Sequence, residues 1–343
     1  MSAMVTRRRF LKAAAALPVA GALAGRAAEA REPSVILLAA PGAADSFYQE
    51  MRREILDFHV GFVRAVGDRE PVLLMADKWT RDELGDRVPA NRVLATEVGD
   101  IWLVDFAPIQ AGDRLVKFLY RPNYISPAAA GWIEDWFMLW LRETGIETTR
   151  LLVKLDGGNL VYDGMGQAVT SEQLYVDNPD YEPHELRNIL QRNLGLDRLA
   201  VVPRVPGDIT GHADGMVAWL RRDLLAVSAF GEPLRSEVLG ALTRDLPGVT
   251  LVEVPFAPTD RHWRGWPDAT GIYVNALTTE RGFYLPVFDV PADAAALAAF
   301  RELAPKPLVP IDASGVAIMG GAVRCLSWYL TGEPAARLLD TAA

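Results

Sequence analysis

Cys325 is the only cysteine of the chain, and compact motifs carrying one histidine and several aspartates precede it. In order they are Trp102-Leu103-Val104-Asp105, Leu155-Asp156-Gly157-Gly158-Asn159 and Gly211-His212-Ala213-Asp214, followed by Gly320-Gly321-Ala322-Val323-Arg324-Cys325. A thiolate is a potent nucleophile near neutral pH, and an imidazole can give and take protons in the same cycle. A single cysteine with histidine and aspartate partners assembled by folding points to covalent catalysis. Against this stands the reading of Cys325 as a small buried apolar side chain.

The elements that must position these residues alternate along the chain. Helices are expected at Asp45 to Val66, Pro127 to Thr144, Pro183 to Leu194, Pro233 to Leu246 and Ala292 to Leu303, most entered through Pro, Asp or Ser. Strands are expected at Val35 to Leu38, Pro71 to Met75, Trp102 to Pro108, Leu115 to Leu119, Arg150 to Leu155, Arg198 to Val202, Thr250 to Val254, Gly271 to Ala276 and Gly282 to Val287. No low-complexity linker divides them, which predicts one mixed α/β domain over 31–343. Asp105, Asp156, His212, Asn275 and Cys325 are separated by 51, 56, 63 and 50 residues. Such an interval series implies a repeated unit of the length at which stacked and ring architectures both come into question; if the units close into a ring, each strand end could point one polar residue into a shared central pocket.

The first thirty residues read as an export segment. Thr6-Arg7-Arg8-Arg9-Phe10-Leu11-Lys12 precedes an alanine-rich apolar run and Ala28-Glu29-Ala30, the arrangement of a twin-arginine signal peptide over 1–30 with a small-residue cleavage site. Pro18, Gly21 and Gly25 interrupt the run, which is short for a membrane span. The expected location is periplasmic or secreted, with no membrane association after cleavage. Removing the segment takes five Lys/Arg and one acid from totals of 35 and 44, leaving 30 against 43, a net charge of −13. No basic patch is available to neutralise phosphates, so nucleic acid is not an expected partner. The four histidines form no ligand cluster with Cys325, so neither a metal nor another cofactor is expected.

Taken together, the motifs resemble the agmatine deiminase and bacterial-type peptidylarginine deiminase family of the guanidino-group-modifying (pentein) superfamily. Asp100-Ile101-Trp102-Leu103-Val104-Asp105-Phe106-Ala107-Pro108 resembles its D-x-W-x-R-D-x-x-P, and Leu155-Asp156-Gly157-Gly158-Asn159 its L-E-G-G-N. Thr170, Asn178-Pro179 and Asp208-Ile209-Thr210-Gly211-His212-Ala213-Asp214-Gly215 follow in order. Tyr273-Val274-Asn275 is similar to its Y-x-N, and Gly320-Gly321-Ala322-Val323-Arg324-Cys325 to its G-G-G-x-H-C. Val104, Asp156, Ala322 and Arg324 depart from that pattern, which has Arg, Glu, Gly and His in their places.

The resemblance implies a five-fold pseudosymmetric β/α propeller and hydrolytic deimination of a guanidino compound. Agmatine is the default substrate, with peptidyl or free arginine as the alternative. Cys325 would attack the guanidinium carbon, and His212 would protonate departing ammonia and then activate water. Asp156 would orient His212. Asp105 and Asp214 would chelate the cation, with Trp102 and Asn159 beside them. Arg324 and the substrate's own charge would favour the thiolate. The expected partner is a small-molecule or peptide guanidino substrate, with homodimer formation left open. The competing class is a guanidino-binding protein that has lost catalysis.

Two aromatic features have structural readings. Trp132, Trp136, Phe137 and Trp140 lie at helical spacing and are expected in core or interface. Arg261-His262-Trp263-Arg264-Gly265-Trp266 is read as a packed surface loop, with lining a substrate entrance or recognising a carboxylate as its alternatives.

Overall fold

The segment Ser34–Ala39 is apolar on both faces, and it forms a strand buried along its whole length. Side chains alternate across a strand, so Val35, Leu37 and Ala39 enter one apolar cluster while Ile36, Leu38 and Ala40 enter another. Burial on both faces requires a neighbour on each side, and this is how the rest of the chain is arranged. The computed structural model describes residues 32–342, and the expected export segment lies outside them. From Pro33 onward the chain forms one compact unit.

Five small sheets share one plan: an antiparallel pair, then a helical crossover to a parallel third strand. The second unit has strands Ile109–Ala111, Arg114–Leu119 and Thr149–Lys154, with helix Pro127–Glu143 between the last two. The third has Leu160–Tyr162, Gln167–Ser171 and Arg198–Val202 around helix Pro183–Leu194. In the fourth, Val217–Arg221, Leu224–Ser228 and Thr250–Val254 flank helix Leu234–Asp245. The fifth uses Leu277–Thr278, Phe283–Val287 and Leu308–Asp312 with helix Ala292–Leu303.

The first unit closes the ring from both ends of the chain. Ser327–Thr331 pairs antiparallel with Ser34–Ala39, which runs parallel to Val72–Ala76 across helix Arg52–Val66. A fourth strand, Val93–Ala95, extends this sheet. Apolar clusters fill the seams between units, as where Phe137, Trp140 and Leu115 meet Leu37, Leu73 and Trp328. The architecture is the five-fold pseudosymmetric α/β propeller that the resemblance implies, and of the stacked and ring forms left open by the interval series it is the ring.

The repeat also explains the spacing of the motifs. Asp105, Asp156, Asp214, Asn275 and Cys325 each lie two to four residues ahead of the first strand of a unit. The same end of every sheet therefore delivers one polar residue toward the ring axis.

Three local expectations are corrected. Trp102–Pro108 is not a strand: Leu103–Phe106 is a single helical turn closed by the Ala107 N–H on the Leu103 carbonyl (2.9 Å). The turn buries Leu103 and Phe106 and leaves Asp105 on the other side. Gly271–Ala276 is a run of turns, because Gly271 has φ +83° and the Ala257 carbonyl would stand 2.0 Å from any Cβ there. The first helix starts at Arg52 rather than Asp45, whose carboxylate instead accepts from the Phe47 N–H and holds a turn.

The Trp-rich helix divides by exposure. Phe137 and Trp140 are core, whereas Trp132 is 59% exposed at a cavity rim. Among the described residues, no helix is long and apolar enough to cross a membrane.

Candidate active site

The segments entering the units enclose a cavity of about 1300 Å³ at the ring centre. Asp105, His212, Asp214, Cys325 and Trp102 line it. Asp156 stands immediately behind His212, and Asn159 does not reach the cavity. The Asn159 Oδ1 accepts from the Ser171 N–H (2.9 Å), tying the Gly-Gly-Asn turn to the second strand of the third unit.

That turn exists because two glycines permit contacts that a Cβ would prevent. A Cβ on Gly157 would stand 1.9 Å from the Val104 carbonyl oxygen, and one on Gly158 would stand 2.3 Å from His212 Nδ1. The backbone thereby approaches the imidazole and carboxylates directly. The Gly158 N–H donates to Asp105 Oδ1 (3.2 Å), and its carbonyl accepts from the Asp214 N–H (3.1 Å).

His212 is bracketed by two carboxylates. Its Nε2 lies 3.3 Å from Asp156 Oδ2, and its Nδ1 lies 3.7 Å from Asp105 Oδ1. Burial alone would lower the imidazole pKa, but Asp105, Asp156 and Asp214 outweigh it and hold the ring protonated well above the ordinary histidine range. Asp105 moves upward too, chiefly through burial, although the imidazolium opposes that shift. The protonated ring is an acid placed beside the pocket that Cys325 lines.

Cys325 is 9% exposed, and its Sγ is contacted from two sides. The Asn275 Nδ2 donates to it (3.1 Å), while Asp214 Oδ2 lies 3.5 Å away as an acceptor for the thiol. Burial first, then Asp214 and Asp105, push the thiol pKa well above its ordinary value; the Asn275 amide opposes them. An added cation next to these carboxylates would reverse much of that effect.

Several contacts were not legible in the sequence. Tyr124 donates to Asp156 Oδ2 (2.7 Å), the oxygen that also meets His212, and its ring packs edge-on to Trp266. Arg324 turns to Asp214 Oδ2 (2.9 Å) and the carbonyls of Gly157 and Leu160 rather than to the sulfur. Asp100 accepts from the Tyr48 hydroxyl (2.6 Å), and burial raises its pKa to about 6. The Trp/Arg loop lines the cavity through His262, Trp263 and Trp266, so the entrance alternative describes it better than a packed surface loop. Among the described residues, no group of His, Cys, Asp or Glu has an arrangement suited to holding a metal ion.

Residues 26–330 match the Porphyromonas-type peptidyl-arginine deiminase family. The agmatine deiminase of Pseudomonas fluorescens is 23% identical over 315 residues, 78% of this chain and 85% of its own length. The C. jejuni agmatine deiminase superposes with a TM-score of 0.74 at 18% identity, covering 87% of this chain and 93% of that one. The DDAH of Pseudomonas aeruginosa superposes with a TM-score of 0.54 at 13% identity, covering 88% and 100%.

Proposed function

We propose that this chain, which belongs to the Porphyromonas-type peptidyl-arginine deiminase family within the pentein superfamily, hydrolyses the C–N bond of a guanidino substrate whose tail ends in an amine, with agmatine as the type compound. The observation that carries the choice of substrate is the charge of the cavity wall. Among the described residues no Lys or Arg lines it, whereas Asp45, Asp77, Glu97, Asp100, Asp208 and Glu232 do. Free arginine would bring a carboxylate into this wall with no cation to receive it, a desolvation cost of several kcal/mol. An amine tail meets acceptors instead. Agmatine deiminase activity in the relatives supports the same reading.

In this reading Asp105 and Asp214 take the planar cation, and its charge favours ionisation of the Cys325 thiol beside them. The sulfur adds to the guanidinium carbon to give a tetrahedral adduct. A C–N bond then breaks, and ammonia leaves with a proton from the His212 imidazolium, giving an S-alkylthiouronium. Neutral His212 removes one proton from water as its oxygen adds to the same carbon; the C–S bond then breaks to release the thiolate, and the remaining hydroxyl proton is lost to bulk solvent as the ureido product forms. Asp156 and Tyr124 keep the imidazole in place throughout.

Ammonia release from agmatine, free arginine and blocked arginine peptides tests this. Agmatine is expected to exceed free arginine in kcat/KM on the order of 10³-fold, the ratio that corresponds to about 4 kcal/mol for a buried charge left uncompensated. Equal values for the two would overturn the substrate assignment. The cavity, about 1300 Å³, is larger than the roughly 300–1,000 Å³ of ordinary small-molecule sites, which favours peptide-borne arginine as the second reading. Faster turnover of the blocked peptide than of agmatine would select it. Tight guanidinium binding without ammonia from any compound would instead identify a binding protein.

The twin-arginine pattern in residues 1–30 supports placing this reaction in the periplasm. Fractionation of cells expressing the full chain and its Arg7→Lys/Arg8→Lys variant separates the possibilities: export of the first and retention of the second is the expected result, and equal distribution removes the assignment.

A further inference from the structure

Arg324 and Cys325 are adjacent in sequence but point to the same atom from different sides. The Arg324 Nη1 lies 2.9 Å from Asp214 Oδ2, and the Cys325 Sγ lies 3.5 Å from that oxygen. The rest of the guanidinium is committed to backbone: Nη2 donates to the Leu160 carbonyl at 2.8 Å and to the Gly157 carbonyl at 3.3 Å. This fork uses the planar donor geometry particular to arginine. Arg324 does not line the cavity, so it has no route to a bound substrate except through Asp214.

We propose that Arg324 is a positioning residue that offsets the charge of Asp214 and thereby sets how readily Cys325 ionises. The inference rests on the reading of Cys325 as the nucleophile. A carboxylate at van der Waals distance from a thiol opposes formation of the thiolate, and a guanidinium on the same oxygen counters that opposition. The other titratable groups nearest the sulfur are Asp105 from the turn before the second unit and His212, with Asp156 behind the imidazole, while Asp100, Tyr120 and Tyr124 line the cavity beside them; the neutral Asn275 amide donates to the sulfur. Among the described residues, only Arg324 places a positive charge directly on the oxygen that meets Sγ. The contact also pins the Asp214 carboxylate, leaving Oδ1 uncommitted by these bonds.

The test uses the single cysteine as its own reporter, with iodoacetamide alkylation followed by mass spectrometry as a function of pH. In Arg324→Gln the alkylation midpoint is expected to rise by about one pH unit, so that the rate near neutral pH falls about tenfold. Arg324→Lys keeps the charge and is expected to recover most of the rate. In an Asp214→Asn background, Arg324→Gln should shift the midpoint clearly less, because the arginine then acts only through its own field and no longer offsets and pins a carboxylate beside the sulfur. A folded Arg324→Gln protein with the wild-type midpoint overturns the proposal, as does an equal shift in the Asp214→Asn background. Should Arg324→Gln fail to fold, Arg324→Met, which keeps the apolar stem without the charge, is read against wild type and in the Asp214→Asn background by the same criteria. Alkylation requires no substrate, so failure of every guanidino compound in the turnover assay would sink the proposed function without altering this measurement.

Discussion

The α-carbon of Gly158 stands so close to the His212 ring that a methyl group on it would lie 2.3 Å from Nδ1. The same methyl would lie 2.7 Å from Asp105 Oδ1. Gly158→Ala is therefore expected to separate the imidazole from its carboxylates. A misplacement of this size lowers kcat by about 10²-fold, while the five-sheet ring remains folded. Steady-state kinetics alongside near-UV circular dichroism checks this, and wild-type kcat in a folded variant would contradict it.

Cys325→Ser is expected to abolish ammonia release and leave guanidinium binding largely intact, since a serine hydroxyl supplies no comparable nucleophile but Asp105 and Asp214 remain. Calorimetric titration with agmatine distinguishes the two effects. A variant retaining a sizeable fraction of turnover would place the nucleophile elsewhere.

Asp156→Asn is expected to act on the proton-transfer steps. Removing the carboxylate that meets Nε2 is expected to cost about 3 kcal/mol of transition-state stabilisation, read mainly in kcat. Tyr124→Phe removes one hydrogen bond from the same oxygen and is expected to cost about 1.5 kcal/mol. Asp105→Asn should raise KM as well as lower kcat, because its carboxylate lines the cavity itself. Equal effects of Asp156→Asn and Asp105→Asn on both parameters would refute this division of labour.

The imidazolium of His212 carries a pH signature. Its pKa rises from the ordinary 6.5 to about 10 in the fold, where three carboxylates overcome the burial that would lower it. The folded state therefore holds this proton more tightly than the unfolded state. The resulting stabilisation is complete below about pH 6.5 and is lost as pH rises through about 10. Unfolding midpoints of wild type and His212→Gln are expected to differ most in mildly acidic solution and to converge at alkaline pH. A ring resonance of His212 titrating near 6.5 by NMR would exclude this account.

The candidate site residues were legible in the linear chain because the chemistry proposed for them restricts residue type. Cys325, His212 and the aspartates stand out from apolar surroundings, and the ring delivers each from an equivalent point in a repeated unit. The long helices were legible for a similar reason, as in Pro183–Leu194, where an apolar stripe and a start signal agree over three turns. Short segments were not. Trp102–Pro108 and Gly271–Ala276 have strand-like composition, but one backbone turn and one close carbonyl decide their shape.

What only the tertiary structure decided is which oxygen each polar group meets. Tyr124 and Asp156 are 32 residues apart, and Arg324 and Asp214 are 110 apart, so neither pair leaves a local pattern. Helix and strand periodicity report which face of an element is buried; they do not report what the facing unit places opposite. The charge of the cavity wall has the same origin, because separate segments contribute its acids and the packing of the ring keeps every arginine and lysine of the described residues out of it.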